Sequence, residues 1–178
     1  MSKTNKHLRV LLLMSLFIAL SIVLKLLAFP KSGLIRISFE NLPILFAGIT
    51  LGPVCGMIVG LSADLLGCVV LAFEINPLVT LGAAATGLFG GLVFSLTKPM
   101  PLPIRIVLSA LAAHAVGSLL IKSFGLAYLY NTIYPMVVVL RSYYLLIAIA
   151  EALLILTLFK SKVVNALYKM LGSKKRQE

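Results

Sequence analysis

Residues 54–72 read VCGMIVGLSADLLGCVVLA, an apolar run interrupted by one carboxylate, Asp64. A helix of about 20 residues is needed to cross the ~30 Å hydrocarbon core of a bilayer, and this run has that length. It reads as a transmembrane helix. Further apolar runs lie on either side of it, at residues 10–29, 39–51, 78–97, 104–124 and 136–159. The chain is 61% hydrophobic, with a mean hydropathy of +1.10. The sequence therefore predicts an all-α integral membrane protein with six transmembrane helices. One membrane domain fills residues 1–178, because the segments between runs are short and the longest polar stretch is the basic tail at 160–178. An even number of spans puts both termini on one face.

The sixteen basic residues divide into two groups. Eleven lie at the two ends of the chain and at the turn marked by Lys98 and Arg105, which the positive-inside rule assigns to the cytoplasm of a bacterial cell membrane. The other five, Lys25, Lys31, Arg36, Lys122 and Arg141, gather at the opposite face, where topology does not require them. Cations at the ends of spans are costly unless they meet water, a partner or a ligand. With only Glu40, Asp64, Glu74 and Glu151 outside the tail, the outer half holds more cations than its carboxylates neutralise, which suits an anionic ligand. A formal charge of +11 would suggest nucleic acid in a soluble protein. Here the cations flank spans, and the tail reads as an anchor to anionic membrane lipid. Cys55 and Cys68 sit among apolar neighbours, and His7 and His114 form no cluster, so neither a disulfide nor a metal site is expected.

The second run is short. A helix over residues 39–51 rises only ~20 Å, and the preceding segment, residues 30–38, carries Pro30 and Gly33 and alternates apolar with polar. Irregular backbone at membrane depth is tolerated where it is buried in protein or lines a cavity, so this segment reads as a loop folded into the outer mouth, a gate. Nine of the fifteen aromatic residues (Phe29, Phe39, Phe73, Phe124, Tyr128, Tyr130, Tyr134, Tyr143 and Tyr144) also fall near the outer ends of spans. Two readings stand: an interfacial aromatic belt, or a stacking platform beside Lys122 and Arg141 for a flat ligand with an acidic tail.

Small residues recur at fourfold spacing. Gly56 and Gly60 on the third run, and Ser15 and Ala19 on the first, make smooth faces on which another helix can approach closely. Asp64 lies near the middle of its run, where a carboxylate is expensive. It is read either as a structural partner of Arg36 or Arg141 or as a ligand contact. Glu151 and His114 read as structural groups within the last two runs.

Several stretches together carry a resemblance: Arg36-Ile37-Ser38-Phe39-Glu40-Asn41-Leu42-Pro43-Ile44, Gly52-Pro53 with the spaced glycines, Ala63-Asp64-Leu65-Leu66-Gly67, and Ile75-Asn76-Pro77-Leu78-Val79-Thr80-Leu81-Gly82. The chain resembles the substrate-binding S component of an energy-coupling factor (ECF) vitamin transporter. Residues 122–151 look most like the folate branch, while pantothenate and queuosine-precursor relatives share much of the 36–67 pattern. The first run departs from the family in showing Ser15 and Ala19 where two alanines are usual. The resemblance implies a six-helix S-component fold that captures vitamin at the outer face and docks on a transmembrane T subunit carrying two ATPase subunits. No cofactor is implied, and folate is the transported ligand. No G-x-x-x-x-G-K-[ST] phosphate loop occurs in the chain, so ATP chemistry must come from partners.

Folate has two carboxylates, flat benzoyl and pterin rings, and adjacent N–H donors on the pterin edge. Candidate residues exist for each part. Lys122, Arg141 or Lys31 can hold the carboxylates; Phe39, Phe73, Phe124, Tyr128 and Tyr130 can flank the rings; Asp64, Glu74 or Asn76 can read the pterin edge. Arg36 and Asn41 line the expected lid. Ser15, Ala19, Gly56 and Gly60 are the expected contact with the T subunit. Two rival classes make different demands on the sequence. An integral membrane enzyme would use Asp64, His114 or Glu151, which stand on three different runs without the local spacing of metal or phosphoryl chemistry. A self-sufficient permease would carry an internal repeat with broken helices in both halves, and none is visible.

Overall fold

The computed structural model describes residues 3–29 and 37–171. The expected gate over residues 30–38, with Lys31 and Arg36, lies almost wholly outside them. Helix α1 (Lys3–Leu26) leads to Phe29, whose backbone exchanges two hydrogen bonds with Ile37. This bridge brings the two ends of the 30–36 segment together. Then follow α2 (Asn41–Leu51), α3 (Pro53–Leu71) and α4 (Pro77–Leu96). Both α3 and α4 begin with proline in the first turn, where its missing N–H costs nothing. Asn76 caps α4 by accepting from the backbone N–H groups of Leu78 and Val79.

Helix α5 (Leu102–Leu129) is continuous but π-helical over His114–Ile121. Residues 136–159, expected as one span, are two helices instead: α6 (Tyr134–Leu140) and α7 (Tyr144–Lys160), bent by 43° at the break. A short amphipathic helix, α8 (Lys162–Met170), follows and buries Val164, Leu167 and Tyr168. Among the described residues, four helices are long and apolar enough to cross a membrane, five if α6 and α7 form one span, and α2 is a shorter apolar helix beside them. With α2 counted as the sixth, the architecture agrees with the expected six-helix fold.

The core centres on α2, where Ile44, Leu45, Phe46, Ala47 and Ile49 are buried among α1, α3, α4 and α7. Phe46 meets Phe17 and Phe159 edge to face, at centroid distances of 5.5 and 6.2 Å. Glycines let α2, α3 and α4 approach without intervening side chains. Gly56 lies on the backbone of Gly48 and Gly87, and Gly60 lies on the backbone of Ala83. Those two glycines were expected on an outward face toward a partner. They are buried, and a Cβ on either would overlap the neighbouring helix backbone, so their small size serves the chain's own packing. Ser15 and Ala19 are on the outer side of α1, beside exposed Leu11, Leu12, Leu16 and Leu20.

Candidate functional site

At the bundle end opposite the aromatic core, a cavity of about 480 Å³ opens between the C-terminal ends of α1, α3 and α5, the N-terminal ends of α2 and α4, and the α6–α7 break. That volume lies in the range of small-molecule sites. Of the residues read from the sequence, Asp64, Phe73, Glu74, Asn76, Lys122, Tyr130 and Arg141 line it.

One wall is a buried ion pair. Lys25 Nζ donates to Asp64 Oδ1 at 2.8 Å, and the Thr80 hydroxyl donates to Asp64 Oδ2 at 2.7 Å. Asp64 therefore has a structural partner, one of the two readings of the sequence, but that partner is Lys25. The reason is register. Lys25, in the last turn of α1, reaches across Gly67, whose missing side chain leaves the room the lysine stem occupies. The lysine also lies 3.6 Å from Cys68 Sγ. Both carboxylate oxygens of Asp64 are engaged, yet an ionised carboxylate offers about four lone-pair sites, so acceptor capacity toward the cavity remains.

Across the cavity, Lys122 reaches past Gly82 in the same way. Its Nζ lies 3.1 Å from Asn41 Oδ1 and 3.4 Å from Glu40 Oε1. Arg141, at the C-terminus of α6, stacks its guanidinium over the Tyr144 ring, 4.5 Å from the centroid. Asn76 ties two elements together, because its Nδ2 donates to the Gly125 carbonyl at 2.8 Å while its Oδ1 caps α4. Among the described lining residues, the cations Lys25, Lys122 and Arg141 face the carboxylates Glu40, Asp64 and Glu74. The described cavity is thus close to charge balance, unlike the cationic excess read from the sequence.

The remaining candidates fall elsewhere. Phe124 is exposed and meets Tyr134 edge to face outside the cavity, and Tyr128 is 82% exposed. Both fit the belt reading better than the platform. Phe39 packs behind Tyr144 with Leu119, Tyr143 and Ile147 and lines a separate apolar groove with Leu24, Leu27 and Phe29. Asn41 is wholly buried behind Lys122, and Arg36 lies outside the described residues. The cavity is also lined by Lys25 and Tyr144, which the sequence singled out only as an outer cation and an outer aromatic, and by Glu40, Cys68, Val79, Leu126 and Leu129, which sequence reasoning did not assign to a site. Lys25 and Tyr144 carried a signal, being a cation and an aromatic at outer ends of spans. Val79, Leu126 and Leu129 carried none.

A bundle of apolar helices around a polar, aromatic-lined cavity at one end defines a multi-pass membrane protein with the architecture of a small-molecule receptor. The model of a family described as "ECF transporter, substrate-specific component" matches residues 9–173. The chain belongs to this family and is accordingly the substrate-binding subunit of a multi-component transporter. Among solved structures, it is similar to one described as a crystal structure of FolT bound with folic acid, at 21% identity and a TM-score of 0.68. The match covers 89% of this chain and 95% of that one, so the two share a fold over nearly their whole length. No curated protein matches the chain in sequence.

Proposed function

We propose that this subunit captures folate at the outer face of a bacterial cell membrane, with both termini in the cytoplasm, for uptake driven by a T subunit and two ATPases. The observation that carries the reading is the joint presence of Lys122, Arg141, Phe73, Tyr130 and Tyr144 on one cavity. Cations beside aromatic rings match a ligand with a flat body and an anionic tail. The folic acid held by the structurally similar FolT supports the same ligand class. In this assignment, Lys122 and Arg141 hold the glutamate carboxylates of folate. Phe73, Tyr130 and Tyr144 flank its rings, and Asp64, Glu74 or Asn76 accept from the pterin edge. Near charge balance in the described cavity suits this division, since a folate molecule presents donors at one end and carboxylates at the other. Ser15 and Ala19, with the exposed leucines around them, are the proposed contact with the T subunit.

The test is binding by the detergent-solubilised chain alone, without ATP, with a spectrum of any ligand that co-purifies. Tight folate binding without turnover is expected. Binding of pantothenate or a queuosine precursor in place of folate would reassign the substrate, and turnover of a bound molecule would point to an enzyme.

A further inference from the structure

Behind the cavity lies a line of polar groups that substrate contact does not explain. His114 and Glu151 are both fully buried, with Nε2 and Oε2 2.8 Å apart. The other ring nitrogen, Nδ1, is 3.2 Å from Ser118 Oγ. Ser118 Oγ is 3.5 Å from Asn41 Nδ2, and Asn41 Oδ1 is 3.1 Å from Lys122 Nζ. Asn41, Ser118, His114 and Glu151 are all fully buried.

The chemistry fixes the direction of the links nearest the cavity. An ammonium only donates, so Asn41 must turn its carbonyl oxygen to Lys122 and its amide nitrogen to Ser118. The Ser118 oxygen then accepts from Asn41 and shares a further hydrogen bond with His114 Nδ1. His114 stands between the Ser118 hydroxyl at Nδ1 and the Glu151 carboxyl group at Nε2, so the links run unbroken from Lys122 at the cavity to Glu151 in the core. Hydrogen bonds joined in a chain polarise one another. The imidazole also stacks on Tyr144, at 5.9 Å between centroids, and Tyr144 carries the Arg141 guanidinium. One buried ring therefore stands behind both cations. The π-helical stretch His114–Ile121 holds His114 and Ser118 and ends beside Lys122. Such widened turns frequently occur at functional sites.

We infer that Glu151, His114, Ser118 and Asn41 form a hydrogen-bond relay that holds the Lys122 ammonium at the position where the anionic end of the substrate binds. They are positioning residues, out of contact with the ligand. The inference rests on the proposed role of Lys122. Its test begins with Ser118→Ala, which cuts the relay at its middle with the least change in volume, compared with Lys122→Met and the double variant. Folate and pteroate, which lacks the glutamate, are the probes.

Ser118→Ala is expected to weaken folate about three- to tenfold, the worth of a neutral hydrogen bond, to leave pteroate binding near wild type, and to add no further loss on top of Lys122→Met. Glu151→Gln, which keeps an acceptor for His114, is expected to lose less than Glu151→Leu. Thermal unfolding of the ligand-free single and double variants gives the Ser118–Lys122 coupling independently, and non-additive effects are expected. Additive unfolding shifts, or equal losses for folate and pteroate on Ser118→Ala, overturn the relay. If Lys122→Met leaves the folate-to-pteroate ratio unchanged, the carboxylate role of Lys122 fails instead, and the ligand-free coupling alone decides the relay.

Discussion

Asp64 illustrates how a carboxylate is kept inside a membrane bundle. It has a lysine at 2.8 Å, a hydroxyl at 2.7 Å and almost no exposure. Breaking a buried pair by removing one partner strands the other charge, at a cost of about 3–5 kcal/mol, whereas replacing both by apolar groups of similar volume is often neutral. Lys25→Met is therefore expected to lower the unfolding temperature of the ligand-free protein sharply, and Lys25→Met combined with Asp64→Leu to recover most of the loss. Melting curves of the three variants check this, and full additivity would show that the two residues do not act as a pair. Arg141 carries a different expectation. Its guanidinium lies over Tyr144 at the cavity wall, so Arg141→Gln removes a charge-assisted bond worth ~1.5–3 kcal/mol. Folate affinity is expected to fall roughly 10- to 100-fold and pteroate affinity far less. Titration of both ligands decides the matter, and equal losses would remove Arg141 from the anionic end.

Among the helices, the two small-residue faces have separate fates. Gly60 is pressed against the backbone of α4, where backbone cannot yield as the end of a flexible side chain can. Gly60→Leu is expected to destabilise the bundle by at least the ~1–3 kcal/mol of ordinary overpacking, with ligand binding lost along with the fold. Ala19 is exposed on α1, so Ala19→Leu is expected to leave melting temperature and folate binding near wild type. It should abolish co-purification with a T subunit and ATP-driven uptake, because small residues permit close helix approach. Normal uptake by the Ala19 variant would place the docking face elsewhere. Both glycine and alanine faces were visible as spacing in the sequence. Which one turns inward was not, because fourfold spacing marks a helix stripe and carries no information about what that stripe faces.

Across the described residues, the cavity sits at the end of the bundle away from the N-terminal end of α1, and the aromatic core of Phe17, Phe46 and Phe159 fills the other end. In the proposed function, binding and energy coupling are separated: this chain supplies the site, and the T subunit and ATPases supply the ATP chemistry. Purified chain reconstituted alone in vesicles is expected to bind folate without accumulating it, and ATP-dependent accumulation is expected only when the T subunit and ATPases are added. Accumulation by the chain alone would make it a permease. The membrane class, the helical architecture and the crowding of charges and aromatics at one end were legible in the amino-acid order, because span length and the cost of a charge in hydrocarbon are local properties of a run. Lys122, Arg141 and Asp64 could be named as candidates on that basis. Tertiary structure alone decided that Asp64 pairs with Lys25, that Phe124 and Tyr128 face outward, that α6 and α7 break beside Arg141, and that His114 and Glu151 meet behind Lys122. Each of these depends on the rotation and register of one helix against another, and those are set by close contacts such as Lys25 over Gly67 and Lys122 over Gly82, between residues far apart in the chain.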